Sequence, residues 1–319
     1  MALPRRIEMR LPPVPPRPKA AVRLGFGLAG LGLAPFYWLL AHRWQTPGLR
    51  FHLDSAILGL RVLASGPRPL PASLIFRLFV FPMDATRYFE IEFMWRALRK
   101  SLPAVRYLDV SSPRLLPLLL LRHRQVQAAD LLNPDAADLA DTEIVVRAAG
   151  LSDRCRLHHC RLEDSAFAPA SYDTITSLSV IEHVPDGRAF FERLWALLRP
   201  GGRLLLSVPC AAQAVEQYVD RSPYGLLTPD ERGFFFWQRL YDSELLQAHF
   251  YAIAGQPRRL AIRGERRAGF FEASTLRKRT DHFYPLWCEP DLMGREFTVF
   301  TSLADLPGEG VIALEFVKQ

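Results

Sequence analysis

Glu182 and His183 stand side by side where the apolar run Thr174 to Val180 gives way to Pro185 and Asp186. Such a pair suits acid–base work, because an imidazole titrates near neutrality and can take a proton from a hydroxyl or an amine. The bland alternative is that both side chains shape the loop without reacting. Upstream, Asp109 lies at the end of Val105 to Val110, and Asp130 follows Gln125 to Ala129. The two acids are 21 residues apart (130 minus 109), the interval at which a nucleotide-binding βαβ unit sets a carboxylate against ribose hydroxyls. An ordinary loop aspartate is the alternative at Asp130. Between them, Ser111 and Ser112 offer hydroxyls to an anionic group. Ser112 is placed to cap a helix with Pro113 at its first position, which would aim a helix N-terminus at the same spot. Pro117 falls where that helix should already be bonded, predicting a distorted or late start. Cys155, His158, His159 and Cys160 are metal-ligating types, but on a strand neighbouring side chains point to opposite faces, so no metal is expected there.

These residues need a scaffold, and the pattern supplies one. Val105 to Val110, Gln125 to Ala129, Arg156 to Cys160, Thr174 to Val180 and Leu204 to Val208 read as short strands of a buried parallel sheet. Asp186 can cap a helix whose Phe190, Phe191, Leu194, Trp195, Leu197 and Leu198 recur at helical spacing. Arg199-Pro200-Gly201-Gly202 stops it, since Pro cannot continue a helix and Gly supplies a positive φ. Asp84 or Thr86 can start a helix running to about Lys100, whose Arg87, Tyr88 and Glu90 would lie on a solvated face. Asp141 to Ala149 is a further helix, and Asp242 can cap another. Residues 210–240 form a long connector with Tyr218, Tyr224, Phe234, Phe235, Phe236 and Trp237, which suits a lid or substrate wall or a packed insertion.

As a whole, Tyr172 to Pro209, YDTITSLSVIEHVPDGRAFFERLWALLRPGGRLLLSVP, resembles the fourth-strand, helix and fifth-strand region of class I S-adenosylmethionine-dependent methyltransferases. The resemblance extends over about residues 84–319. It implies an α/β fold, a seven-stranded, mostly parallel Rossmann-like methyltransferase sheet closed by a C-terminal antiparallel hairpin, Arg258 to Arg263 with Val311 to Val317. It implies S-adenosyl-L-methionine bound outside the carboxyl ends of the strands, against Asp109, Ser111, Ser112, Asp130, Leu162, Glu163, Ser177 and Leu178. His183 and Glu182 would then be the catalytic pair, and Arg87, Tyr88 and Glu90 would lie at the cofactor cleft rather than on a solvated face. The sequence departs from the family where a G-x-G-x-G loop is normal, for Ser111-Ser112-Pro113-Arg114 stands there. A non-catalytic methyltransferase-like domain serving as a membrane-side interaction module is the competing expectation. The string around Glu182 also resembles the E-x-x-E-H metal site of some methyltransferases, but Ser179 replaces its first acid. Dinucleotide oxidoreductases need a G-x-G-x-x-G after the first strand, which is absent.

Composition bounds the rest. Of 319 residues 49% are hydrophobic, enough for a large core, and 40 Lys and Arg face 33 Asp and Glu. The first 23 residues hold six of those basic side chains against Glu8 alone, before the uncharged run Leu24 to Ala41. A basic arm beside an apolar run points to an anionic membrane surface more than to nucleic acid. The expected organisation is a basic, Pro-rich arm and apolar segment over 1–50 and a helical lead-in over 51–101. The methyltransferase-like domain follows over 102–319, with insertions at 210–240 and 264–310. A cytoplasmic protein, membrane-associated through residues 1–45, with a glycan, lipid-linked or small hydrophobic acceptor, is the corresponding expectation. Four scattered cysteines suit a reducing compartment.

Overall fold

The computed structural model describes residues 4–99, 103–222 and 225–319; Tyr224 and the expected helix end at Lys100 lie outside them. In chain order the elements are β1 (Arg5–Met9), α1 (Ala20–Arg43), α2 (Arg50–Ser65), α3 (Ala72–Phe79), α4 (Ala85–Leu98), β2 (Ala104–Val110), α5 (Leu115–Arg122), β3 (Val126–Leu132), α6 (Ala136–Ala148), β4 (Cys155–His158) and β5 (Tyr172–Leu178). They continue with α7 (Gly187–Leu197), β6 (Leu198–Cys210), β7 (Val215–Val219), β8 (Phe235–Leu240), α8 (Ser243–Leu246), α9 (Ala252–Ala254), β9 (Arg259–Glu265), α10 (Phe270–Thr280), α11 (Glu289–Glu296), β10 (Phe297–Phe300) and β11 (Gly310–Val317).

The main sheet has the strand order β10-β9-β11-β6-β5-β2-β3-β4. Strands β6, β5, β2, β3 and β4 are parallel, and β11 runs antiparallel to both β6 and β9. The expected C-terminal pair is thus present. The sheet has eight strands rather than seven, because residues 264–310 return β10 antiparallel to the edge of β9. Order reverses beside β2, so a crevice opens at its carboxyl end, the place where open α/β sheets bind ligands.

Local chemistry explains the elements around that crevice. Asp186 accepts from the Ala189 amide at 2.9 Å and so caps α7, whose Phe191, Leu194 and Leu197 are buried. Asp186→Ala should cost about 1 kcal/mol in urea unfolding, with Asp186→Asn near neutral, since either side chain satisfies the first-turn amides. Helix α5 is buried from Leu115 to Leu121, apolar all round as a core helix must be. It begins late, with Arg114 at its cap position, so Pro117 sits in the first turn where the missing N–H has no partner to lose. Ser112 therefore does not cap it.

The N-terminal 50 residues are not a detached arm. Strand β1 pairs in parallel with β7, and β7 with β8, making a second, three-stranded sheet from residues far apart in sequence. Helix α1 packs Ala34 against Val80, Trp287 and Cys288. The aromatic connector is both packed insertion and wall: Phe236 and Trp237 are buried, while Leu226 and Leu227 reach the crevice.

Candidate active site

A cleft of about 640 Å³ lies at the carboxyl ends of β2, β3 and β5, within the roughly 300–1,000 Å³ range of small-molecule sites. Its wall is made of the 110–113 loop, Leu132 to Asp135, Arg161 to Glu163, Ser179 to Val180 and His183 to Pro185, with Arg87 from α4 at one side.

The 110–113 loop keeps a glycine-like shape without glycine. Ser111 holds a φ of 53°, in the left-handed region that L side chains rarely enter. Its hydroxyl donates to the Leu132 carbonyl at 3.2 Å, and Ser112 Oγ accepts from the Leu178 amide at 3.0 Å. The loop is pinned from beneath by Asp109, which accepts from the Ser112 amide (3.1 Å), Tyr107 (3.0 Å) and Thr176 (2.5 Å). Burial pushes the Asp109 carboxyl up to about 6, against the pull of these donors. Asp109 is an anchor under the cleft and not part of its lining.

Asp130 is not at the strand tip. Leu131 and Leu132 extend β3 by two residues, so Asp130 pairs across to Leu108 inside the sheet. Its carboxylate meets His158 Nε2 at 2.7 Å and accepts from Tyr172 at 3.1 Å, away from the cleft. The tip belongs to Asn133 and Asp135. Asn133 Oδ1 accepts from the Asp135 amide at 2.9 Å and Nδ2 donates to Asp138 at 3.1 Å. Asp135 is exposed and caps α6 through one oxygen, accepting from Ala137 at 2.8 Å and Asp138 at 3.1 Å. His159 donates to or accepts through Nε2 only at the Pro134 carbonyl, 3.0 Å away, which makes it the donor.

His183 lies in a one-turn 3-10 segment just past β5. Its Nδ1 is 2.6 Å from the Trp237 carbonyl, which can only accept, so Nδ1 carries the proton and Nε2 the lone pair. Burial lowers the imidazole to about 4, with the nearby charges of Arg87 and Arg279 acting in the same direction. The ring is therefore neutral at pH 7. Glu182 Oε1 is 3.8 Å from His183 Nε2. Burial pushes this carboxyl up to about 8 although Arg87 pulls the other way, so Glu182 is protonated at neutral pH. Arg87 reaches the cleft because Nη1 donates to both oxygens of buried Glu90, at 3.0 and 2.8 Å. Glu90 also accepts from Ser179 (2.6 Å) and Ser207 (2.7 Å), tying α4 to β5 and β6. Tyr88, by contrast, is fully buried against His52.

Of the residues that the sequence singles out, Ser111, Ser112, Leu162, Glu163 and His183 come together in the cleft, while Asp109, Asp130, Ser177, Leu178 and Glu182 lie beneath or beside it. Asn133, Asp135 and the Trp237 carbonyl were not signalled. The first two follow from where β3 ends, and a backbone carbonyl has no sequence signature.

A sequence profile of the methyltransferase domain family matches residues 92–253, half of the chain. The chain belongs to the class I methyltransferases. S-adenosylmethionine is the cofactor of that class. The ubiquinone biosynthesis O-methyltransferase of Xanthomonas campestris pv. campestris is 33% identical over 129 residues, 40% of this chain and 51% of that protein. Methyltransferase str2 of Strobilurus tenacellus is 36% identical over 99 residues, 31% of this chain and 35% of its own. The chain thus spans about half or less of the curated relatives it matches. Among solved structures, geranyl diphosphate C-methyltransferase from Streptomyces coelicolor A3(2) aligns with a TM-score of 0.48 at 12% identity, over 73% of this chain and 79% of its own. In this methyltransferase the loop that normally carries glycines has Ser111 in the left-handed backbone region that glycine favours.

Proposed function

We propose that this methyltransferase methylates a hydroxyl of a small-molecule acceptor, with His183 as general base. The supporting observation is the His183 tautomer, neutral at pH 7 with its lone pair on Nε2 at the cleft wall. When bound, S-adenosylmethionine supplies a sulfonium methyl group for in-line displacement. The chain's part is to position the acceptor and hold its proton. With the cofactor bound, the acceptor oxygen would displace the methyl group from sulfur, His183 Nε2 would take the hydroxyl proton, and S-adenosylhomocysteine would be the leaving group. Protonated Glu182 adds no second charge beside the imidazolium that forms. O-methylation is also the activity named for the ubiquinone-pathway relatives. We place the protein on the cytoplasmic side of a membrane, where small hydrophobic or lipid-linked acceptors are within reach.

The residues placed to hold the cofactor are the Ser111 to Pro113 backbone, Asp135 for the ribose hydroxyls, and Leu162 with Glu163 for the base. Calorimetry with S-adenosylhomocysteine tests this. Asp135→Asn keeps a competent helix cap but removes the charge, and should weaken binding about 10- to 150-fold, the worth of a charge-assisted hydrogen bond. Asp130→Asn should leave affinity unchanged. The reverse ranking would restore Asp130 to the site. No heat and no thermal shift with wild-type protein at saturating cofactor would leave the non-catalytic interaction module as the reading.

A further inference from the structure

The apolar helix α1 has the length to cross a bilayer, 24 residues or about 36 Å, yet only Gly30, Ala34 and Ala41 on it are buried. We propose that α1 lies in the plane of an anionic lipid surface as a docking helix, with both of its ends on the same side. One face is committed to the protein. A Cβ at Gly30 would meet the Trp287 ring at 2.9 Å, Phe26 packs on Trp287 with centroids 4.7 Å apart, and Ala34 and Ala41 are in the core. The other face, Leu24, Leu28, Leu31 and Leu39, is between 48% and 65% exposed and continues into exposed Phe36 and Trp44. A helix apolar all round is buried in a protein or in lipid, and the protein covers one side only.

Both ends are tied to the globular body. Before α1, β1 pairs with β7, Arg221 donates to the Leu11 and Pro12 carbonyls at 2.6 Å, and His282 donates to the Pro15 carbonyl at 2.8 Å. After it, Trp44 Nε1 donates to Asp291 at 2.9 Å and Trp38 Nε1 to the Leu49 carbonyl at 3.0 Å. A helix clamped at both ends and along one face cannot thread a bilayer, so the lipid partner must lie alongside it. Charge names the kind of lipid. Arg10, Arg17, Lys19 and Arg23 are exposed at the N-terminal end and Arg43 at the other, and none of the five has an acidic partner among the described residues. Basic side chains flanking an apolar face suit an anionic surface.

Vesicle sedimentation of the full chain tests the proposal, with phosphatidylglycerol-containing and phosphatidylcholine-only vesicles. Binding to the anionic vesicles, weakened by salt, is expected. Replacing Leu24, Leu28 and Leu31 together by Glu should reduce it at least roughly 100-fold with little change in the circular dichroism melt, because all three lie on the exposed face of α1 and none belongs to the core. Gln at Arg17, Lys19 and Arg23 should each weaken it about fivefold. On bound vesicles, protease should remove an N-terminal tag, whereas a protected tag would show a span and overturn the in-plane placement. Equal binding by the triple-Glu chain, or no vesicle binding together with a self-association that the triple-Glu change abolishes, would overturn the lipid partner.

Discussion

His183→Ala lowers kcat about 10²–10⁴-fold, the worth of a positioned general base, while leaving S-adenosylhomocysteine affinity unchanged. The split follows from geometry: His183 is held at the cleft wall by the Trp237 carbonyl, on the β5 side, whereas the 110–113 loop and Asp135, proposed to hold the cofactor, follow β2 and β3. His183→Asn separates base from positioning, since the amide can still donate to Trp237 but offers no imidazole. It should be as slow as the alanine variant, and a rescue by asparagine would reduce His183 to a positioning residue. The base must be unprotonated, so turnover should fall only as pH drops through about 4, where burial has moved the imidazole. A histidine NMR titration checks that value without any acceptor, and an imidazolium signal already at pH 6 would contradict the buried, neutral base.

Glu182→Gln is expected to raise stability increasingly as pH rises. A carboxyl titrating near 4.5 when unfolded and near 8 when folded binds more protons in the native state throughout that window. Its favourable contribution is complete below about 4.5 and is lost as pH climbs through 8, with a slope of up to about 1.4 kcal/mol per pH unit. His183 acts oppositely. Its folded value is depressed, so its contribution is present above about 6.5 and is lost as pH falls through 4. The two slopes offset each other between about pH 4.5 and 6.5, which leaves the Glu182 loss visible alone from 6.5 to 8. Urea midpoints measured across that interval should diverge between wild type and the glutamine variant. Parallel curves would mean that Glu182 ionises normally and that its buried Oε2, without a hydrogen-bond partner, is served by solvent.

Much of the sheet was legible because its signals are local. An uninterrupted apolar run makes a buried strand wherever it lies, and Asp186 and Asp242 cap helices through amides three residues away. The positions of Glu182 and His183 were legible for the same reason: they lie in the short turn just past β5, so the strand places them. Asp130 shows the limit. Its spacing from Asp109 is right for a ribose ligand, but Leu131 and Leu132 suit a strand as well as a turn. Only pairing with β2 and β4 decides that β3 continues and carries Asp130 inside.

What the sequence by itself determined is the α/β class, the methyltransferase family, the two C-terminal strands and the position of His183, because the signal of each strand, turn and cap is carried by neighbouring residues. Tertiary structure alone decided three things. It set the His183 tautomer through a carbonyl 54 residues away, brought Arg87 to the cleft through Glu90 and two distant serines, and made the N-terminal arm part of the fold through β7. Burial and long-range hydrogen bonds set these properties, and no window of neighbouring residues contains both partners.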